Sequence, residues 1–344
     1  VPPAPDIMTE DTEIISIEAA IALIRAAFIA CGVPDATAQS VATALVAAES
    51  EGQVGHGFSR LGDYAAQARS GKIRADAVPE ARATGASALV VDAGHGFAYP
   101  ALDLAIERGS AMAQETGCAA ISVTRSSHCG ALSVQVERLA RKGLIGLMVA
   151  NAPAAIAPWG SNKAVFGTNP IAFAAPRDGA DPLVIDLSLS RVARGKVMNA
   201  RKTGKPIPEG WALDRDGQPT TDPEAALAGT MVPIGEAKGT ALALMVEILS
   251  AVLVEATLSA EMPSYFTADG PPPGSGQFLL ALRPGDASGF AARLERLLGF
   301  ITGAEGARLP GMRRAAAIAA ANRDGLRVPS MYLGAARDMA GGNG

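Results

Sequence analysis

Leu89-Val90-Val91-Asp92 is a short β-branched run, and Ala93-Gly94-His95-Gly96-Phe97 behind it is a glycine turn that opens the helical stretch Tyr99 to Thr116. The alternation then repeats. Ala119-Ala120-Ile121-Ser122-Val123 leads into helical spacing over Leu132 to Lys142, and Leu147-Met148-Val149-Ala150 follows. Strands alternating with helices predict an α/β sheet. The turn also lacks something: no Gly-x-Gly-x-x-Gly follows a strand and opens a helix, and no Walker Gly-x-x-x-x-Gly-Lys-Ser/Thr occurs anywhere. An ordinary Rossmann fold is disfavoured. Gly274-Ser275-Gly276 precedes a strand and follows three prolines, so it reads as a loop.

Working outward, Ile171 to Ala175, Leu183 to Asp186 and Phe278 to Leu282 supply further strands, and Gly239 to Ala256 is a helix so apolar on almost every side that it must lie against the sheet. Towards the amino end, Ser16 caps a helix to Ala30, with Glu18 in its first turn and Gly32 after its end. Asp35 to Ala48 and Arg60 to Ser70 repeat the helical spacing, so the first eighty residues form a helical unit that delivers the loop Glu51 to Ser59. After Arg283-Pro284 helical spacing returns in Ala291 to Leu298 and Met312 to Asn322, expected to pack back onto the amino-terminal helices. The expected division is a helical domain from 14–80 and 290–344 and an α/β domain from 81–289. Val1 to Glu13 reads as an arm without signal-peptide order, and Ala200 to Gly229 and Thr267 to Gly276 read as surface loops.

With 49% hydrophobic residues in 344, the chain can bury a large core. A net charge of −4 and no dense run of Lys and Arg argue against a nucleic-acid partner or an anionic membrane surface. The longest apolar stretch, Thr240 to Leu253, is interrupted by Glu247 and is too short to span a bilayer. Cys31, Cys118 and Cys129 show neither CxxC spacing nor a disulfide framework, which fits a reducing compartment and makes the cytoplasm the default.

Three histidines occur in the whole chain. His56 lies between glycines with Arg60 four residues on; an imidazole to move a proton beside a guanidinium to hold a carboxylate suits a small α-keto or α-imino acid. The same pattern is common in purely structural loops. His128 follows a strand and stands before a helix near Ala131, where backbone N–H groups favour an anion such as a cofactor phosphate, or where Ser126, Ser127 and His128 merely cap the helix. His95 reads as a structural turn residue hydrogen-bonded to backbone. Arg308-Leu309-Pro310-Gly311-Met312-Arg313-Arg314 sets three guanidinium groups around a turn, either a phosphate cradle, including the 2′-phosphate of NADP, or a solvated basic face. Asp186-Leu187-Ser188 and Glu236-Ala237-Lys238 sit at element ends open to a ligand. No ligand pair has zinc spacing, so no metal is expected, and no Gly-x-Ser-x-Gly elbow is present.

Taken together, Gly55-His56-Gly57-Phe58-Ser59-Arg60-Leu61, Ser127-His128-Cys129-Gly130-Ala131-Leu132, Phe166-Gly167-Thr168-Asn169-Pro170, Asp181 to Asp186, Pro208-Glu209-Gly210-Trp211, Asp216 to Pro223, Lys238-Gly239 and Leu309 to Arg314 resemble the type-2 malate/L-lactate dehydrogenase family. Eight ordered segments span nearly the whole chain. Within the family, His128 to Leu132 and the Pro208 to Pro223 excursion look most like Δ1-piperideine-2-carboxylate/Δ1-pyrroline-2-carboxylate reductases. The resemblance implies a non-Rossmann mixed β-sheet NAD(P)-binding domain, an extended cofactor groove and a homodimer with the site near the interface. It implies His56 as proton donor, Arg60 as carboxylate anchor and Thr168 as a substrate contact. It implies cofactor contacts at His128, Cys129, Gly130, Ala131, Leu132, Asp186, Leu187, Ser188, Glu236, Ala237, Lys238, Arg308, Leu309, Pro310, Gly311, Met312, Arg313 and Arg314. Two departures stand out: where those reductases carry a serine and an aspartate that complete a relay to the histidine, this chain has Gly55 and Lys196, and Lys196 looks more like the hydroxyacid branch. A nearby lysine disfavours imidazolium.

The expected function is NADPH-dependent reduction, with NADH possible, of a small cyclic α-imino acid (Δ1-pyrroline-2-carboxylate or Δ1-piperideine-2-carboxylate) to L-proline or L-pipecolate. The alternatives are a malate- or lactate-type 2-hydroxy acid dehydrogenase and a cofactor-binding homologue with impaired catalysis.

Overall fold

A computed structural model describes residues 11–341. The chain begins with β1 (Thr12–Ile15), α1 (Ile17–Ala30) and α2 (Asp35–Ser50), then passes through two 3₁₀ turns, Val54–His56 and Phe58–Arg60, into α3 (Leu61–Ser70). The sheet region follows with β2 (Glu80–Gly85), β3 (Ala88–Asp92), α4 (Ala98–Thr116), β4 (Cys118–Ser126), α5 (Leu132–Ala140), β5 (Ile145–Ala150), β6 (Ile171–Ala175) and β7 (Leu183–Leu187). Next come α6 (Arg194–Lys202), β8 (Ala212–Leu213), β9 (Pro219–Thr220), α7 (Pro223–Ala228), β10 (Thr230–Met231), α8 (Ala237–Glu247) and a π turn over Ile248–Val252. The chain closes with β11 (Ser275–Leu282), α9 (Ala287–Thr302), α10 (Met312–Asp324), β12 (Leu326–Pro329) and α11 (Ser330–Ala340).

The main sheet runs β2-β3-β4-β11-β5-β6-β7. Only β3 and β4 pair in parallel, joined by α4 as a βαβ unit, while every other junction is antiparallel, so the sheet is mixed. Alternation along β4 puts Ala119, Ile121 and Val123 on the buried face. Leu279 of β11 pairs with Ile121 on one side and Met148 on the other, and Leu102 and Ile106 of α4 close over the same core.

A second core joins Ile24, Phe28 and Leu45 of the first two helices to Tyr64, Phe97, Val328, Leu333 and Ala336, so the carboxy-terminal segment packs on the amino-terminal helices. Ser16 caps α1 by accepting from the Ala19 N–H at 3.1 Å.

Three sequence expectations change. The end of the expected arm, of which Val1 to Glu10 fall outside the described residues, is ordered: Thr12 and Glu13 belong to β1, which pairs with β12. The excursion Ala200 to Gly229 is not only loop, because its β8 and β9 make a small sheet with β10 just beyond it, and its α7 is capped by Asp222. The helix expected over Gly239 to Ala256 lies on the sheet by one face only. Ala243, Val246, Ser250 and Ala251 are buried, whereas Leu244, Met245, Val252 and Leu253 face outward. Among the described residues no helix is long and apolar enough to cross a membrane.

Candidate active site

The His56 loop is built over one carboxylate. Glu49, in the last turn of α2, accepts the Phe58 N–H at 2.9 Å. A Cβ on Gly57 would lie 1.9 Å from Glu49 Oε2, so only glycine lets the loop close down on it. Ser59 Oγ donates to the Val54 carbonyl at 2.6 Å and Arg60 Nε to the Gly55 carbonyl at 2.7 Å, which fixes both 3₁₀ turns.

Burial pushes the Glu49 carboxyl up to about 7 against the lowering effect of the Phe58 N–H. The folded chain therefore binds a proton that the unfolded chain releases above its ordinary value of 4.5, and stability falls as pH rises from there through about 7. Glu49→Gln, which keeps the acceptor, is expected to remove that decline, a difference of roughly 3 kcal/mol above neutral pH and none at the acid end. Urea midpoints across pH measure it, and a parallel decline in both proteins would count against it.

Within this loop His56 is half-buried and stacks on His128, ring centroids 5.4 Å apart at 25°. Desolvation first, then the Arg60 charge, bring the His56 pKa down to about 3. His128 is held well below its ordinary value by desolvation, Arg60 and His56. Both rings are neutral at physiological pH. His56 Nδ1 is buried with no hydrogen-bond partner among the described residues, the position at which a relay serine or carboxylate would act. Arg60 lies 4.7 Å above the Phe266 ring and 3.7 Å from Asp63.

His128 Nδ1 is 2.6 Å from the Tyr64 hydroxyl, and Tyr265 packs against the same ring at 4.9 Å between centroids. Tyr265 and Phe266 arrive from a segment whose main chain is held by donors at the end of α3. Lys72 Nζ donates to the carbonyls of Ser264 at 2.7 Å and of Thr267 and Asp269 at 2.9 Å. Gln67 donates to the Tyr265 carbonyl at 2.6 Å and Ser70 to that of Ala268 at 2.8 Å. Sequence reasoning missed Tyr64, Tyr265, Phe266 and Lys72. The one signal was two adjacent aromatic residues in a chain that is 4% aromatic.

The remaining candidates fall into two groups. His128 to Leu132 leads into α5, where the Ser133 N–H donates to Asp186 at 2.9 Å and Ser133 Oγ donates to Glu51. The start of α5 thus already faces two carboxylates, which suits a hydroxyl donor better than the phosphate expected there. Gly311 reaches the same region with φ 80°, and a Cβ on it would lie 2.6 Å from the Val184 carbonyl, so the Pro310-Gly311 turn sits directly on β7. Arg314 bonds Glu51 at 2.7 Å and also Glu137, so the expected cradle of three guanidinium groups keeps two, the exposed Arg308 and Arg313. In the second group, the Leu189 N–H donates to the Thr168 carbonyl and the Ile234 N–H to Leu189, both at 2.8 Å. This brings Thr168, Leu187 and Ser188 near Glu236, Ala237 and Lys238 at the start of α8.

Lys196 is exposed in the first turn of α6, and no hydrogen bond or ion pair joins it to His56. Its neighbour Arg194 is half-buried, has no carboxylate partner among the described residues, and is held below the usual guanidinium range by desolvation. His95 stays out of the site: its N–H bonds the Arg125 carbonyl at 2.7 Å and its carbonyl the Arg74 N–H at 2.9 Å, a backbone role. Among the described residues no three of His, Cys, Asp and Glu gather where a metal could sit.

Comparison with known proteins bears on the family and the fold. The chain is 51% identical over 304 residues to a (2R)-3-sulfolactate dehydrogenase (NADP(+)) of Chromohalobacter salexigens, covering 88% of this chain and 91% of that protein. It is 41% identical over 300 residues to a Δ1-pyrroline-2-carboxylate/Δ1-piperideine-2-carboxylate reductase of Pseudomonas aeruginosa, covering 86% and 90%. The crystal structure of Δ1-piperideine-2-carboxylate reductase from Pseudomonas syringae pv. tomato superposes with a TM-score of 0.90 at 36% identity, covering 95% of this chain and all of that one. The model of the malate/L-lactate dehydrogenase family matches residues 15–334, and this chain belongs to that family.

Proposed function

We propose that this chain is an NADP(H)-dependent oxidoreductase that interconverts a small 2-oxo acid and the corresponding 2-hydroxy acid. The observation that carries the reading is His56, neutral and stacked on His128 beside Arg60, in a loop whose shape Glu49 fixes. Arg60 binds the substrate carboxylate through its guanidinium fork. Desolvation is the larger cause of the His56 depression and the Arg60 charge the smaller; the carboxylate offsets that charge, so the imidazole becomes more basic once substrate is bound. His56 then takes the hydroxyl proton in oxidation and returns it to the carbonyl oxygen in reduction. Tyr265 and Phe266 close one wall and exclude water.

The residues present fit a dinucleotide: Gly311 lets its turn pack directly on β7, which leaves the exposed guanidinium groups of Arg308 and Arg313 beside that strand to meet a 2′-phosphate. His128 to Leu132, Asp186 to Ser188 and Glu236 to Lys238 would hold the rest of it. When bound, it supplies or accepts the hydride.

Lys196, which stands where the imine reductases resembled above carry an aspartate, and its neighbour Arg194 are the cations on which we base the choice between the two substrate classes. A protonated cyclic imine carries a positive charge and gains from a carboxylate, whereas a 2-oxo acid, above all one with a second anionic group, gains from cations. The 51% identity to a protein named as a sulfolactate dehydrogenase supports the oxo acid. Cyclic imine reduction remains the second reading, favoured by the 41% relative and the 0.90 structural likeness. With NADPH and NADH each offered, pyruvate, oxaloacetate and 3-sulfopyruvate are expected to turn over faster than Δ1-pyrroline-2-carboxylate and Δ1-piperideine-2-carboxylate. Lys196→Asp is expected to move the kcat/KM ratio towards the imines by about tenfold or more. Turnover confined to the imines would replace the oxo-acid reading with the second, and cofactor binding with no turnover at all would reject both.

The outward face of α8 and its π turn is best covered by a second copy of the chain. Leu242, Leu244, Met245, Ile248, Val252 and Leu253 there are between 38% and 58% exposed, a contiguous apolar patch of the kind that marks an interface. Sedimentation equilibrium is expected to give twice the chain mass, and Met245→Glu with Val252→Glu the monomer. A wild-type monomer would refute the dimer. The three unpaired cysteines fit a cytoplasmic setting.

A further inference from the structure

The hydroxyls of Tyr99, Tyr64 and the ring of His128 form one buried line: Tyr99 OH to Tyr64 OH is 3.1 Å, and Tyr64 OH to His128 Nδ1 is 2.6 Å. Both tyrosines are buried, and burial holds their hydroxyls above the ordinary value, so each keeps its proton. Tyr99 has no other hydrogen-bond partner among the described residues. The Tyr265 hydroxyl is engaged elsewhere, with Ser275 Oγ at 2.6 Å, so it does not compete for the histidine.

Counting protons along this line leaves one arrangement. If His128 carries its proton on Nδ1, it donates to Tyr64, Tyr64 donates to Tyr99, and the Tyr99 proton is buried without an acceptor. If the proton is on Nε2, Tyr99 donates to Tyr64, Tyr64 donates to Nδ1, and every buried donor is used. A buried unsatisfied donor is disfavoured by about tenfold or more in population.

We propose that Tyr64 is a positioning residue that locks His128 with its proton on Nε2, so that this ring meets its ligand as a hydrogen-bond donor and not as a base. Nε2 has no partner within the described residues and is free to meet an acceptor oxygen, such as a carboxamide or carboxylate oxygen. The lock itself is a property of the protein alone; the identity of the acceptor rests on the proposed function.

Three histidines make the test direct. In protein labelled with ¹⁵N-histidine, the His128 ring, assigned by its loss in His128→Asn, is expected to show a protonated Nε2 and an unprotonated Nδ1. Tyr99→Phe is expected to leave that pattern unchanged, since the Tyr64 proton still needs Nδ1. Tyr64→Phe, which keeps the ring and loses only the hydroxyl, is expected to give a mixture of tautomers or the other one. Adding NADPH to wild type is expected to shift the Nε2 signal. A wild-type His128 protonated on Nδ1 would overturn the lock, as would a folded Tyr64→Phe with an unaltered pattern. The wild-type and Tyr99→Phe spectra stand even where Tyr64→Phe does not fold. A confirmed lock in a protein that turns over neither substrate class would reject the proposed function alone.

Discussion

Alanine at position 56 is expected to lower kcat by about 10² to 10⁴-fold while leaving the dissociation constant for NADPH within about threefold, because general acid–base catalysis carries that share of a rate and His56 is proposed to touch substrate. The pH profile gives a second readout. In the empty protein His56 is neutral down to about pH 3. In the oxidation direction kcat/KM, which reports the free enzyme, should therefore show no loss from this group over roughly pH 5 to 8, where an ordinary histidine would titrate. The kcat profile should instead show a group with a raised pKa, since the bound carboxylate offsets Arg60. An alanine variant within tenfold of wild type would remove His56 from the chemistry, and a kcat/KM profile falling at the ordinary histidine value would contradict the electrostatic account.

Arg314→Met is expected to destabilise the fold by about 3 to 5 kcal/mol. The guanidinium is bonded to Glu51 and Glu137, whose side chains are 3% and 12% exposed. Removing it leaves the buried Glu51 without a cation and Glu137 with Arg141 alone, at the junction of α2, α5 and α10. Glu51 would retain Ser133 and Gln53 as donors, the latter at 3.0 Å. Adding Glu51→Gln to Arg314→Met should recover part of the loss, and urea unfolding of the single and double variants measures both. A loss under about 1 kcal/mol would mean that the pair behaves as an exposed one.

Sequence patterning located most elements, because β4, β5 and β6 carry the β-branched or small apolar runs of a covered sheet and α4 and α5 carry the helical period. It did not reveal that β11 enters between β4 and β5, since periodicity records burial and not partnership, and these strands are far apart in sequence. β1 and β12 are four residues each, and β8 to β10 two each, too short for any period to register.

At the site, His56, Arg60 and His128 were legible because imidazoles are scarce in this chain and glycine surrounds them. Tyr64 was not, because a buried tyrosine on a helix face looks like core until its hydroxyl is seen to have a partner. Glu49 and Lys72 were hidden for a related reason: each bonds main-chain atoms, and main-chain atoms leave no trace in residue identity. The arginine turn was found, but not that Arg314 differs from Arg308 and Arg313 in facing two carboxylates.

The contacts that hold residues 264–269 have an evolutionary implication. Lys72, Gln67 and Ser70 grip carbonyl oxygens that every amino acid possesses. Mutations to the side chains of that stretch can therefore accumulate while its path stays put, so the stretch can be rewritten for a differently shaped molecule without rebuilding the scaffold beneath it.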